Sequence, residues 1–184
     1  MIGGKKAFTL IELMVSITVF AIVITPAISL FGSALRHQRE IMMQAEALNS
    51  ASFLTEYISR ALRMARKDIQ GDCIGEKNNF INPSGASSIR FLNYNDKCQE
   101  FVLESDAIKV RKSVDDSALN LGSGSFLTSA NLVVENLNFA ISGNDQLDNE
   151  QPKVSFSLKL RSKYLSSPLE AQTTVSQREL DVPR

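Results

Sequence analysis

The chain opens on a short basic leader and then loses its charge. After Lys5 and Lys6 it reads Ala7-Phe8-Thr9-Leu10-Ile11-Glu12, and from Leu13 to Leu35 no side chain ionises. Those 35 − 12 = 23 residues, coiled as a helix, would cross a bilayer core of about 30 Å. Charge returns at Arg36, but the helical spacing continues. Ile41, Ala45, Leu48, Ala51, Leu54, Ile58, Leu62, Ala65 and Ile69 recur every three or four residues. They predict one apolar stripe along an amphipathic helix of about nine turns. Gly71 is its natural stop. Joined end to end, the two segments predict one nearly continuous helix from Phe8 to Ile69, on the order of 90 Å long. Pro26 lies inside it; lacking a backbone N–H, it is expected to kink or loosen the helix there.

Beyond Gly71 the apolar period changes to two. Residues 89–94, 100–104 and 107–111 read as strands, with Asn95-Asp96 and Ser105-Asp106 as turn material between them. Residues 115–125 read as a loop. Residues 132–141, 153–160 and 170–180 supply three more strands, with a turn opening at Gly143-Asn144-Asp145. One long helix with five or six strands predicts an α+β fold, the helix lying across one face of an antiparallel sheet.

Composition narrows the function. Lys plus Arg and Asp plus Glu both number 20, so bulk charge does not favour nucleic acid, although a local basic patch would. The only histidine is His37, tryptophan is absent and there are two cysteines. That inventory poorly supplies a Cys/His zinc site or a Ser-His-Asp triad. No paired carboxylates, phosphate-cradling glycine loop or nucleophile-plus-base arrangement stands out. The sequence therefore points away from an enzyme, and it implies no cofactor and no metal.

The apolar run is too long for a cleaved secretory signal, and no small-residue cleavage site follows it before Arg36. As a membrane anchor it would keep Lys5 and Lys6 in the cytoplasm and place everything from Arg36 onward outside. Glu12 is left to explain. A carboxylate inside a bilayer costs roughly 2.5–3.5 kcal/mol on insertion scales and calls for a partner. The plainer alternative is that Glu12 sits at the interface and reaches water.

Lys5-Lys6-Ala7-Phe8-Thr9-Leu10-Ile11-Glu12-Leu13-Met14-Val15 resembles the prepilin-type N-terminus of type IV pilins and type II secretion pseudopilins. The resemblance implies cleavage by a membrane-embedded prepilin peptidase between Ala7 and Phe8. That would leave 184 − 7 = 177 residues, with the new amine of Phe8 then methylated. It also implies that Glu12 pairs with the N-terminal amine of a neighbouring subunit during assembly. Ala7 stands where the family usually has Gly, and Pro26 lies nearer the N-terminus than the family's helix-interrupting proline. The implied fold is pilin-like, in agreement with the pattern above. Its parts would be a leader (1–7), a membrane and assembly helix (8–35), an amphipathic helix (36–71) and a β-sheet region (72–184), the last two forming one exported domain.

Three further features carry expectations. On the exported side Cys73 and Cys98 are expected to form a disulfide tying the helix end to the sheet. Arg60, Arg63 and Arg66 read as a solvated face at the helix C-terminus, or else as a patch for DNA or adhesion. Residues 144–150 form an acidic loop whose spacing does not match an EF-hand, so a solvated turn is the simpler reading than calcium.

The sequence thus reads as a structural subunit of a type IV pilus-like filament. Its partners would be other pilin subunits, prepilin peptidase, a membrane assembly platform and the lipid bilayer. Its place would be the cytoplasmic membrane and then the cell surface. A minor pilin or secretion pseudopilin that primes or caps a filament is one alternative. A membrane-anchored adhesion or DNA-binding module that never polymerises is another.

Overall fold

The computed structural model describes residues 8–144 and 150–179. The chain divides into two compact units, Met1–Met42 and Met43–Arg184. One helix, α1 (Leu10–Arg63), runs through the first and into the second.

From Leu13 to Leu35 α1 carries no ionisable side chain, and it is the one described helix long and apolar enough to cross a membrane. Its few hydroxyls turn back onto the helix. Ser16, Thr18, Thr25, Ser29 and Ser33 each donate to a backbone carbonyl three or four residues earlier, at 2.7–3.2 Å. A hydroxyl so engaged needs neither water nor a neighbour. The helix continues through Pro26, which has no N–H to offer the Ile22 carbonyl.

In the second unit α1 becomes one-sided. Ala47, Ala51, Leu54, Ile58 and Leu62 are buried. Ile41, Ala45 and Leu48, expected on the same stripe, are exposed. The helix also stops short of the expected Ile69. Carbonyls at and just past its end find partners far along the chain: the Arg63 carbonyl accepts from Arg178 N–H at 2.8 Å, and the Ala65 carbonyl from Gln177 Nε2 at 3.1 Å. Arg66 N–H then donates to the Leu92 carbonyl at 2.8 Å, so the backbone leaves the helix to extend along a strand end. The turn that follows wraps around buried Asp68. Its carboxylate accepts from the backbone N–H groups of Gly71, Cys73 and Ile74 at 2.7–2.9 Å. Gly71, the expected stop, instead takes a positive φ of 85° in this turn, where an added Cβ would lie 2.7 Å from the Glu76 nitrogen.

The strands form two antiparallel sheets where one was expected. The first is a meander of β1 (Ser88–Leu92), β2 (Cys98–Glu104), β3 (Ala107–Lys112) and the two-residue β4 (Ser125–Phe126). The segment read as a loop holds a short 3-10 turn at Ala118–Asn120 and the first residue of β4. Ser105 and Asp106, both at positive φ, make the two-residue hairpin between β2 and β3. The second sheet is β5 (Leu132–Ser142), β6 (Lys153–Ser162) and β7 (Leu169–Ser176). The two meet where Val134 N–H donates to the Asp106 carbonyl and Phe139 N–H to the Ala86 carbonyl. Strict alternation along β6 sends Val154, Phe156, Leu158 and Leu160 inward. Both sheets and the helix stripe thereby share one core, with Phe91, Phe101, Phe139 and Phe156 near its centre. The α+β class read from the sequence stands.

A second, smaller cluster surrounds the Cys73–Cys98 disulfide, whose Cα atoms are 5.4 Å apart. It ties the Asp68 turn to the start of β2. On the outer faces charge replaces apolar packing. Buried Glu100 accepts two bonds from Arg90 across the β1–β2 pair, at 2.8 and 2.9 Å. Hydrogen bonds from Lys109, then Arg111, hold the Glu104 carboxyl below its usual range. Arg161, then Lys159, do the same for Glu135 on the second sheet.

Two outcomes follow from this packing. The disulfide closes a loop with a sequence separation of 25, so Cys73→Ser is expected to cost about 3 kcal/mol in the chain-entropy picture. Urea unfolding with and without reductant should show the same loss in the parent chain and no further loss in the variant. Glu104 and Glu135 titrate lower in the fold than in the open chain. Their contribution is therefore complete above the usual 4.5 and disappears as pH falls through their folded values. Melting temperature should fall as pH drops below about 4.5, and the pair Glu104→Gln with Glu135→Gln should flatten that fall.

Candidate functional site

The candidate site is the start of α1. Ala7 lies outside the described residues. Phe8 is 79% exposed, and Thr9 stands immediately before the first helical residue, Leu10. Thr9 and Glu12 bond reciprocally. Glu12 N–H donates to Thr9 Oγ1 at 3.4 Å, and Thr9 N–H donates to Glu12 Oε2 at 3.1 Å. Thr9 Oγ1–H also reaches Oε2, at 3.0 Å. This is a capping box, which satisfies two of the four N–H groups that a helix start leaves without partners. The carboxylate also sits at the positive end of the helix dipole.

That geometry gives Glu12 a local role which the sequence reading left out. The Thr-x-x-Glu spacing is a readable capping signal, and Thr9 is the residue missed. The cap uses only Oε2. Oε1 has no hydrogen-bond partner among the described residues. The site thus holds an oriented, exposed carboxylate with one oxygen open, four residues from the expected new terminus at Phe8.

Behind it the helix carries an unmet demand. Fifteen large apolar side chains between Leu10 and Leu35 are exposed. At about 1.5 kcal/mol each, burying them is worth roughly 20 kcal/mol, more than the whole stability of an ordinary domain. A segment with that deficit in water is stable only in lipid or against other apolar surfaces.

The other expected sites are distributed as follows. Cys73 and Cys98 are joined, and both are buried. Pro26 is a position within α1 and no break in it. Arg60 pairs with Glu56 at 2.9 Å, and Arg66 pairs with Asp96 at 2.6 Å and reaches Glu179 at 3.7 Å. Arg63 stays exposed. Most of the acidic loop, residues 145–149, lies outside the described residues. Asn144 at its edge is engaged: its Oδ1 accepts from Asn79 and Phe80 N–H, and its Nδ2 donates to the Phe80 carbonyl.

The family model for the prokaryotic N-terminal methylation motif matches residues 3–28. Neither a curated protein nor a solved structure matches the chain. The matched segment takes in the basic leader, Ala7 and Phe8, the Thr9–Glu12 cap and the helix through Pro26. Residues 3–28 therefore carry the type IV pilin and pseudopilin signature, on a chain whose long N-terminal helix packs on antiparallel sheets as in a pilin-like fold.

Proposed function

We propose that this chain is a structural subunit of a type IV pilus-like filament. The observation that carries the reading is the methylation motif at residues 3–28 running directly into an apolar helix with every side exposed. In this reading prepilin peptidase hydrolyses the Ala7–Phe8 bond and methylates the new amine of Phe8. The subunit waits as a single-pass membrane protein, with the sheet domain outside. A membrane assembly platform, driven by a separate ATPase, then draws it into a filament in which the apolar helices of many subunits cover one another.

Glu12 supplies the register. In a low-dielectric helix bundle an unpaired carboxylate and an unpaired amine are each costly, and together they attract strongly. The cap leaves Oε1 open for the methylated amine of a neighbouring subunit, while Oε2 keeps the carboxylate pointed along the helix start. A misregistered subunit would bury both charges alone.

Two measurements test the reading. Intact mass of protein sheared from the cell surface should correspond to a chain beginning at methylated Phe8, lighter by two hydrogens for the Cys73–Cys98 bond. A chain that keeps Met1 and never leaves the membrane fraction would overturn it. Glu12→Ala should insert normally but lower filament yield at least about tenfold, the factor that about 1.4 kcal/mol makes in an equilibrium. Thr9→Ala removes the cap and keeps the carboxylate, so its filament yield should remain near that of the parent. Equal losses in both variants would assign Glu12 to capping alone.

A further inference from the structure

The outer side of β7 is an open sheet edge. Other strand edges are met by the chain itself. Ile81 exchanges two backbone bonds with Arg90 beside β1, and β5 meets Ala86 and Asp106. β7 is the end strand of its sheet and pairs with β6 alone.

The register says which of its groups are open. Gln177 N–H donates to the Pro152 carbonyl at 3.0 Å. That pair continues the ladder in which Val175 faces Val154 and Thr173 faces Phe156. Hydrogen-bonded pairs alternate along an antiparallel ladder. Leu169, Ala171, Thr173 and Val175 therefore spend their backbone groups on β6. Glu170, Gln172, Thr174 and Ser176 point their N–H and C=O groups away from it, and among the described residues these groups have no partner.

This edge lacks the usual protection. Edge strands are commonly blunted by proline, lysine or a bulge. β7 contains no proline and no lysine, and its only charge is Glu170. Its pairing with β6 runs without a shift, whereas the β5–β6 pair is irregular between Val134 and Asn136. On the core side Leu169, Ala171 and Thr173 are only half-buried. The open run is bounded at both ends. Past it, Arg178 N–H is taken by the Arg63 carbonyl, and before it stands Pro168, which has no N–H. The midpoint of 170–176 is Thr173.

We propose that β7 pairs antiparallel with β7 of a second copy, about a two-fold axis through Thr173. In that register Glu170 lies opposite the second copy's Ser176, and Gln172 opposite its Thr174. Every outward N–H and C=O of the run then finds a partner, and no acid faces an acid. Thr173 meets its own counterpart at a non-hydrogen-bonded position, where side chains come closest and threonine pairs are favourable. Each copy offers one such edge, so the pairing closes at two. It uses the sheet domain alone, and so it stands or falls apart from the filament reading.

The test uses the full chain in detergent, with micelles in excess over protein. Cys73 and Cys98 are buried and joined, so a thiol introduced by Thr173→Cys is the free one. Under a mild oxidant it should form a disulfide-linked dimer at least about tenfold faster than Ser142→Cys, an exposed position on β5. Adding Gln172→Pro removes an outward N–H and no bond to β6, so the fold should persist, as circular dichroism would confirm. Cross-linking should then slow about tenfold. The exposed pair Gln172→Lys with Thr174→Lys should slow it similarly, because each new lysine would face a lysine of the second copy. Equal rates at positions 173 and 142 would overturn the proposal, as would cross-linking at 173 that the edge substitutions leave unchanged.

Discussion

An α-helix with apolar side chains on every side has no stable existence in water, and that constraint governs this molecule. The helix α1 meets two different surroundings along one backbone. Up to Leu35, Glu12 and a few hydroxyls apart, its surface is apolar on every side, and from Ala47 only a stripe is. The change is not abrupt. Ile41, Ala45 and Leu48 continue the apolar exposure past the point where charge returns, so the one-sided region begins where the sheets reach the helix and not where the first arginine stands.

The far end of α1 depends on contacts made late in the chain. Arg178 and Gln177 supply the donors for the carbonyls of Arg63, its last residue, and Ala65 just beyond it, and the Leu92 carbonyl receives Arg66. The Asp68 carboxylate gathers three N–H groups of the next turn, and the disulfide fixes that turn to β2. A buried carboxylate with three backbone donors and a covalent tie beside it organise a stretch with little apolar content of its own. Two sheets can then bury against one narrow stripe, because the helix is held at its end as well as along its face.

Much of this was legible in the sequence, for physical reasons. The change of period from 3.6 to 2 placed the helix and the main strands, since side-chain direction depends only on local geometry. The Ser105-Asp106 turn was legible because few residues tolerate positive φ. The helix end was not, because Ile69 continues the spacing and the bonds around Arg63 come from residues 177 and 178, far along the chain. The division into two sheets was equally hidden. It rests on β5 meeting Ala86 and Asp106, and periodicity does not report which strand edges pair. At the candidate site, Glu12 stood out because a charge in an apolar run is conspicuous. Thr9 did not, because a hydroxyl there looks neutral until its partner is seen.

The hydroxyls of the apolar half have a consequence for movement. Ser16, Thr18, Thr25, Ser29 and Ser33 carry their acceptors with them, since each bonds to its own helix. Carrying this segment from lipid to a protein-lined interior would exchange one set of dispersion contacts for another and require none of those bonds to break. The passage would then be nearly level in energy, so the apolar half itself would oppose movement in neither direction, and the one charge, at Glu12, would be the part of the segment that distinguishes the two surroundings.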